Sequence, residues 1–302
     1  MSVAHTLVLT DVRASTADRV TRGIAVALAT YFSIVLWPLW RDASSTGALT
    51  PLFTHLAMLV YVLLLLGVRG AAWRPALDWL VLTVGPLMYI EMRWIIAGMG
   101  MPHHDATIVG WEHALFPSNP SATLAPALHL PLLSEVLHFA YASYYLIIYL
   151  PPIALYVMGK RDAFVKTVLA LTIVYGACFI IYALFPVDGP RYLVGPAAAP
   201  DGPVRRFVLA LLERGSSRGT AFPSSHVAAS LVSALCALRY QRGVGLVVAP
   251  VVAALVVATV YGGFHYAVDA LVGVILGGLA WLASVTLWSA AESRAAQTAT
   301  AA

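Results

Sequence analysis

Residues 219–230, GTAFPSSHVAAS, open one of the most apolar stretches of a 302-residue chain, yet they open it on a proline, two serines and a histidine. The residues that follow, LVSALCAL at 231–238, suit a helix that crosses lipid. Hydroxyls and an imidazole facing hydrocarbon are costly, and ionisable groups at membrane depth ordinarily line a cavity. The stretch therefore predicts a membrane helix whose polar N-terminus is turned toward a polar ligand. Pro223 is expected in its first turn, where a missing N–H costs little.

Composition points the same way. The chain is 60% hydrophobic and 11% charged, whereas a soluble globular chain is about half apolar and about a quarter charged. With a mean hydropathy of +0.82, most of that apolar surface must face lipid, and the fold class is an all-α polytopic membrane helix bundle. Apolar runs predict about eight transmembrane helices, at 23–40, 51–68, 76–98, 135–158, 165–185, 223–240, 245–261 and 265–288. The net charge of +4 lies mainly between these runs, which reads as orientation in a bilayer and not as nucleic-acid binding. Cys178 and Cys236 fall inside apolar runs and read as buried small hydrophobes.

Lys and Arg set the expected orientation. With a cytoplasmic N-terminus, that side receives Arg13, Arg19, Arg22, Arg69, Arg74, Lys160, Arg161, Lys166, Arg239, Arg242 and Arg294. Short loops rich in Lys and Arg stay inside, so both termini are expected in the cytoplasm of a cell inner-membrane protein. The N-terminal residues are too polar for a cleaved signal peptide, so the first helix is expected to remain as an anchor. The outer side holds Arg41 and one cluster, Arg191, Arg205, Arg206, Arg214 and Arg218. Two outer segments, about 99–134 and 186–222, are longer than ordinary connections. Within the second, VRRFVLALLER at 204–214 has the pattern of a short interfacial helix. There is no internal repeat.

On this topology three polar groups reach one membrane level. Arg191 follows the fifth span in FPVDGPRY (185–192), Ser224, Ser225 and His226 begin the sixth, and His265 and Asp269 in YGGFHYAVDAL (261–271) begin the eighth. His265 and Asp269 are four apart, so on a helix their side chains meet. A carboxylate on one imidazole nitrogen fixes the tautomer and frees the other as a nucleophile. His226 is placed for proton donation to a leaving group. Ser224, Ser225 and the open N–H groups of a helix start form an anion cradle, and Arg191 adds a fork suited to phosphate oxygens. These are the components of a phosphoryl-transfer site.

The chain here resembles the type 2 phosphatidic acid phosphatase superfamily of membrane lipid phosphatases and phosphotransferases. PSSH at 223–226 is similar to that family's second motif, HYAVD at 265–269 to the catalytic part of its third, and GPR at 189–191 to a shortened first motif. The last is a feature of the branch that includes inositol phosphorylceramide synthases. The resemblance covers about 135–288 and implies a six-helix catalytic core needing no metal or other cofactor. It also implies His265 as a nucleophile forming a phosphohistidine, Asp269 as its orienter and His226 as the acid. The front helices are then additions, giving an N-terminal part at 1–98, an outer loop at 99–134, a core at 135–290 and a tail at 291–302. The pattern departs from the family at Leu184, Tyr192, Ala258, Thr259 and Gly263, positions where phosphate-binding or flanking residues are expected. Arg218, or Arg205 and Arg206, are the candidate replacements.

Other features carry plainer readings. Glu91 and Arg93 read as a structural pair or snorkelling residues. His103, His104 and Asp105 are too close in sequence to share a tetrahedral ion easily. Trp111, Glu112 and His113 seat their loop at the interface. GVILGG at 273–278 serves close helix packing, and Tyr141, Tyr144, Tyr145 and Tyr149 serve packing or the interface. The expected activity is lipid phosphate hydrolysis or transfer at the extracytoplasmic face, with a lipid and the bilayer as partners. A head-group transferase is the near alternative. An anion transporter or a silent scaffold is the distant one, and the former would predict repeated halves with broken helices.

Overall fold

A computed structural model describes residues 15–68 and 70–300, without the side chains of 71 and 298–300. Arg13 and Arg69, counted above as inner charges, lie outside the described residues. Ser15 and Asp18 form a capping box that starts α1 (Thr16–Thr46), and Gly47, at φ 75°, ends it in the left-handed region. The buried Ile24, Leu28, Phe32, Val35 and Leu39 recur at helical spacing along one face. Next come α2 (Thr50–Gly67) and α3 (Arg74–Met99), then two short helices, α4 (Asp105–Leu115) and α5 (Pro120–Ala127). The chain continues through α6 (Pro131–Ala142), α7 (Tyr144–Val157) and α8 (Arg161–Leu184). The one-turn α9 (Pro190–Leu193), α10 (Pro203–Gly215), α11 (Ser225–Tyr240), α12 (Arg242–Tyr261) and α13 (Ala267–Thr300) complete it. The described residues contain one isolated bridge, Val187 with Thr220, and no strand.

Among them, α1, α2, α3, α8, α12 and α13 are long and apolar enough to cross a membrane. The span expected at 135–158 differs: α6 and α7 meet at a 47° bend. The bend falls at Ser143, whose hydroxyl donates 2.6 Å back to the Ala140 carbonyl, a side-chain bond that competes with the helical ladder. The sixth expected span, α11, has 16 residues. At 1.5 Å per residue that is about 24 Å, short of a hydrocarbon core of about 30 Å. It packs against α7, α8, α12 and α13. Side chains at Gly273 and Gly277 would come within 2.8 and 2.7 Å of the carbonyls of Ser224 and Ala228, so α13 lies directly on α11.

Charge pairs identify one end of the bundle. Arg161 donates twice to Asp78 at 2.7 Å. It also lies 2.9 Å from Asp18, which Arg74 reaches at 3.1 Å. Lys166 sits over the rings of Trp288 at 4.6 Å and Tyr240 at 5.9 Å. The starts of α1, α3 and α8 and the far ends of α11 and α13 therefore share one basic end. Inside the apolar part, His55 bridges Glu91 and the Phe32 carbonyl, each at 2.8 Å, binding α2 to α3 and α1. Glu91 is thus structural with His55 as partner, while Arg93 lies over the Trp94 ring. The opposite end carries α4, α5, α9, α10 and the N-termini of α11 and α13.

Candidate active site

At the start of α11 the Ser224 hydroxyl and the backbone N–H groups of both serines are already engaged. Ser224 is the N-cap, its hydroxyl accepting the Val227 N–H at 3.4 Å and its own N–H donating to the Asp269 carbonyl at 3.0 Å. The Tyr182 hydroxyl, from α8, donates to the Pro223 carbonyl at 2.8 Å and accepts the Ser225 N–H at 3.2 Å. Three N–H groups of the expected anion cradle, those of Ser224, Ser225 and Val227, are therefore spent inside the protein, and Ser224 is fully buried. Pro223 precedes the cap and does not occupy the first turn. Capping and anion binding use the same residue types, so the sequence does not separate them.

His226 stands between two aromatic rings. Tyr141 stacks on it at 5.0 Å and Tyr144 lies tilted at 4.2 Å, with the Tyr141 hydroxyl 3.4 Å from Nε2. The tyrosines read from sequence as packing thus hold this imidazole. Its ring centroid is 5.9 Å from that of His265.

His265 lies in the turn before α13, not on a helix with Asp269. Its Nδ1 is 2.9 Å from the Ala221 carbonyl. A carbonyl only accepts, so Nδ1 carries the proton and Nε2 is the nitrogen with a free lone pair. Asp269, the third residue of α13, accepts the Tyr266 N–H at 2.9 Å and lies 3.5 Å from His265 Nδ1. The ring is therefore oriented by a backbone carbonyl, with the carboxylate alongside as counter-charge. The other Asp269 oxygen is buried with no partner. Burial, with Asp105, Asp269, Glu112 and Asp188 nearby, pushes the Tyr266 phenol above its ordinary range.

Arg191 enters from α9, just after Gly189, whose φ of 86° turns the chain. Its guanidinium bonds the Ser216 hydroxyl, and Tyr192 shares that hydroxyl at 2.7 Å. Arg191, His226 and His265 face one narrow cavity of about 40 Å³, together with Tyr89, Ser217 and Thr220. That is room for roughly three waters, comparable to the oxygens of one phosphoryl group. Arg218 does not line it: its side chain is 64% exposed, 3.7 Å from Asp188. Arg205 and Arg206 pair with Asp201 instead. Ser225 faces a neighbouring groove that His226 also lines.

The sequence reading does not give the roles of three carboxylates of the 99–135 region: it weighs Asp105 only as part of a metal cluster, takes Glu112 as an interface residue and passes over Glu135. Asp105 accepts the N–H groups of Asp188 and Gly189 at 3.0 and 2.9 Å, holding the turn that presents Arg191. Glu112, fully buried, accepts those of Ala267 and Val268 at 3.0 and 2.9 Å, capping the helix beside His265. Glu135 accepts those of Val204 and Arg205 at 2.9 and 3.2 Å, capping α10. Each carboxylate takes two consecutive amides across a long sequence gap, a pairing with no local signature. His103, Asp105 and Asp188 approach one another closely enough to share an ion. Their oxygens already serve backbone amides and the 3.0 Å contact from His103 to Asp188, while His104 stacks on Phe185.

A family model described as the PAP2 superfamily matches residues 106–283, a range holding Arg191, His226, His265 and Asp269. No curated protein and no solved structure matches the chain. With more than half of its length matched, this membrane-spanning helix bundle belongs to the PAP2 superfamily of phosphatases and phosphotransferases that its motifs resemble.

Proposed function

We propose that the protein cleaves or transfers a phosphoryl group on a lipid phosphate through a phosphohistidine on His265. The observation that carries this reading is the approach of two imidazoles, centroids 5.9 Å apart, beside a guanidinium in one narrow cavity. His265 Nε2 attacks phosphorus while the bond from phosphorus to the ester oxygen breaks. His226, protonated, gives its proton to that leaving oxygen. The His265 ring gains positive charge as the P–N bond forms, and Asp269 at 3.5 Å offsets it. Arg191 holds the phosphoryl oxygens. In the second half, His226 takes a proton from water, the water oxygen attacks phosphorus, the P–N bond breaks and phosphate leaves. An alcohol in place of that water turns hydrolysis into head-group transfer.

The basic end of the bundle, with Arg161, Lys166 and Arg74, lies opposite the site. The charge rule supports a cytoplasmic position for that end, hence for both termini, and an extracytoplasmic position for the site in the cell's inner membrane.

The test is phosphate release from a short-chain phosphatidate by purified protein. The native chain releases phosphate and is inhibited by vanadate, while His265→Ala is slower by at least about a thousandfold. Equal release from both, or none from either, refutes the reading. Saturable anion binding that survives His265→Ala would support the transporter instead.

A further inference from the structure

Next to the phosphate-sized cavity lies a larger space of about 230 Å³ between α3 and α7, closed behind by α8 and α10. It shares Tyr89, Leu212, Ser216 and His226 with the polar cavity, so the two spaces adjoin along His226 and Tyr89. Its walls are mainly apolar and aromatic, and the hydroxyls of Tyr89, Tyr144, Tyr149 and Tyr175 are occupied. Tyr144 and Tyr175 bond each other at 2.7 Å, and Tyr149 donates to the Leu82 carbonyl at 3.1 Å, tying the two walls together farther from the site. At the rim Ile90 and Tyr145 are 40% and 44% exposed, on helices that face lipid. Leu82, Gly85 and Tyr89 follow one another on the α3 face that lines the space. A side-chain carbon added at Gly85 would meet nothing within 4 Å.

We infer that this groove holds the apolar chain of the lipid whose phosphate sits at His265, and that α3 sets which chains fit. The inference rests on the proposed phosphoryl chemistry for the position of the phosphate end. The occupant is committed by adjacency: a molecule lying across His226, with one end in the polar cavity and the other in the groove, needs one charged end and one hydrocarbon end. No second polar group is called for, because the wall hydroxyls named above are bonded within the protein. α3 lies outside the 106–283 range shared with the family, so the selective wall comes from the added front helices. Gly85 leaves the room, and Tyr89 marks the boundary, with its ring on the groove and its hydroxyl 3.3 Å from Thr220 in the polar cavity.

The test fills the groove from α3. Gly85→Leu and Gly85→Ala are compared with the native chain on phosphatidates carrying six-carbon and sixteen-carbon acyl chains. The expected result is a fall of about tenfold or more in the ratio of kcat/KM for the long chain to that for the short one with leucine. A smaller fall is expected with alanine, and thermal melting should be unchanged. Equal losses on both substrates, or none on either, overturn the inference. A hexadecyl phosphate bearing a diazirine at its chain end reports occupancy without turnover. Its label should fall on the peptides spanning 81–90 and 144–149 and diminish with Gly85→Leu, and label confined elsewhere overturns the inference. A protein that labels in the groove but releases no phosphate would defeat the phosphatase reading and leave the groove standing.

Discussion

Each imidazole of the candidate site is held by something other than its sequence neighbours. Ala221 supplies the carbonyl that fixes the His265 tautomer, and Tyr141 and Tyr144 flank the His226 ring. The motif residues themselves could be picked out because histidine, serine and arginine are conspicuous in an apolar chain. Their partners could not, since a carbonyl belongs to every residue and tyrosine suits packing as well as a site. Arginine shows the same limit. Arg191 and Arg218 flank the same loop, yet one lines the cavity and the other is mostly exposed beside Asp188. Arg191→Ala is therefore expected to lower kcat by about a hundredfold or more, as loss of a charged oxyanion donor does. Arg218→Ala should stay within about twofold, since an exposed pair contributes little. Steady-state phosphate release distinguishes them, and similar losses from both would return Arg218 to the site.

At the scale of helices, long apolar runs predicted most elements well, because lipid demands length and the ends carry recognisable caps. Two departures have local causes. The run at 135–158 is mostly apolar, but Ser143 turns its hydroxyl onto the Ala140 carbonyl where the helix bends. The 99–134 segment, rich in Pro and His, reads as a loop, yet it folds into α4 and α5 and supplies the carboxylates that cap distant turns. Glu112 gives the sharpest case. Glu112→Leu leaves the Ala267 and Val268 amides buried without acceptors, a cost of about 1–3 kcal/mol for such a group. It should lower the melting temperature and, by loosening the turn that carries His265, reduce kcat while changing KM little. Glu112→Gln, which keeps one acceptor oxygen, should recover part of both. Loss of melting temperature with native kcat would assign Glu112 to stability alone.

Across the whole molecule, the sequence separates the loops rich in Lys and Arg from the end that carries the candidate site, and the structure joins basic residues of distant helices into common contacts. What composition cannot convey is how far the front helices participate. α3 packs on α1 and α8 and also walls the groove, so the chain site proposed above draws on a front helix as well as on the 135–290 part. Orientation is checked with single cysteines, against a background where Cys178 and Cys236 are buried. A cysteine at Arg206 or Arg214 should react with an impermeant thiol reagent from outside intact cells. One at Lys160 or Arg242 should react only after permeabilisation. The reverse pattern would place the reactive end in the cytoplasm.

The modest length of α11 has a consequence for how the reaction meets its medium. On the proposed orientation, a 16-residue helix anchored at the basic face would stop roughly 6 Å short of the far side of an average hydrocarbon core, which would set its histidine end in a well beneath the headgroups. Mobile ions screen charges in open water over about 8 Å at physiological strength and act far less on enclosed ones. Attraction between the guanidinium and an arriving phosphate should thus persist in brine. Turnover of a micellar substrate ought to change by less than about twofold between 0.05 and 0.5 M sodium chloride, and a steep decline would mean the well is open to the bath.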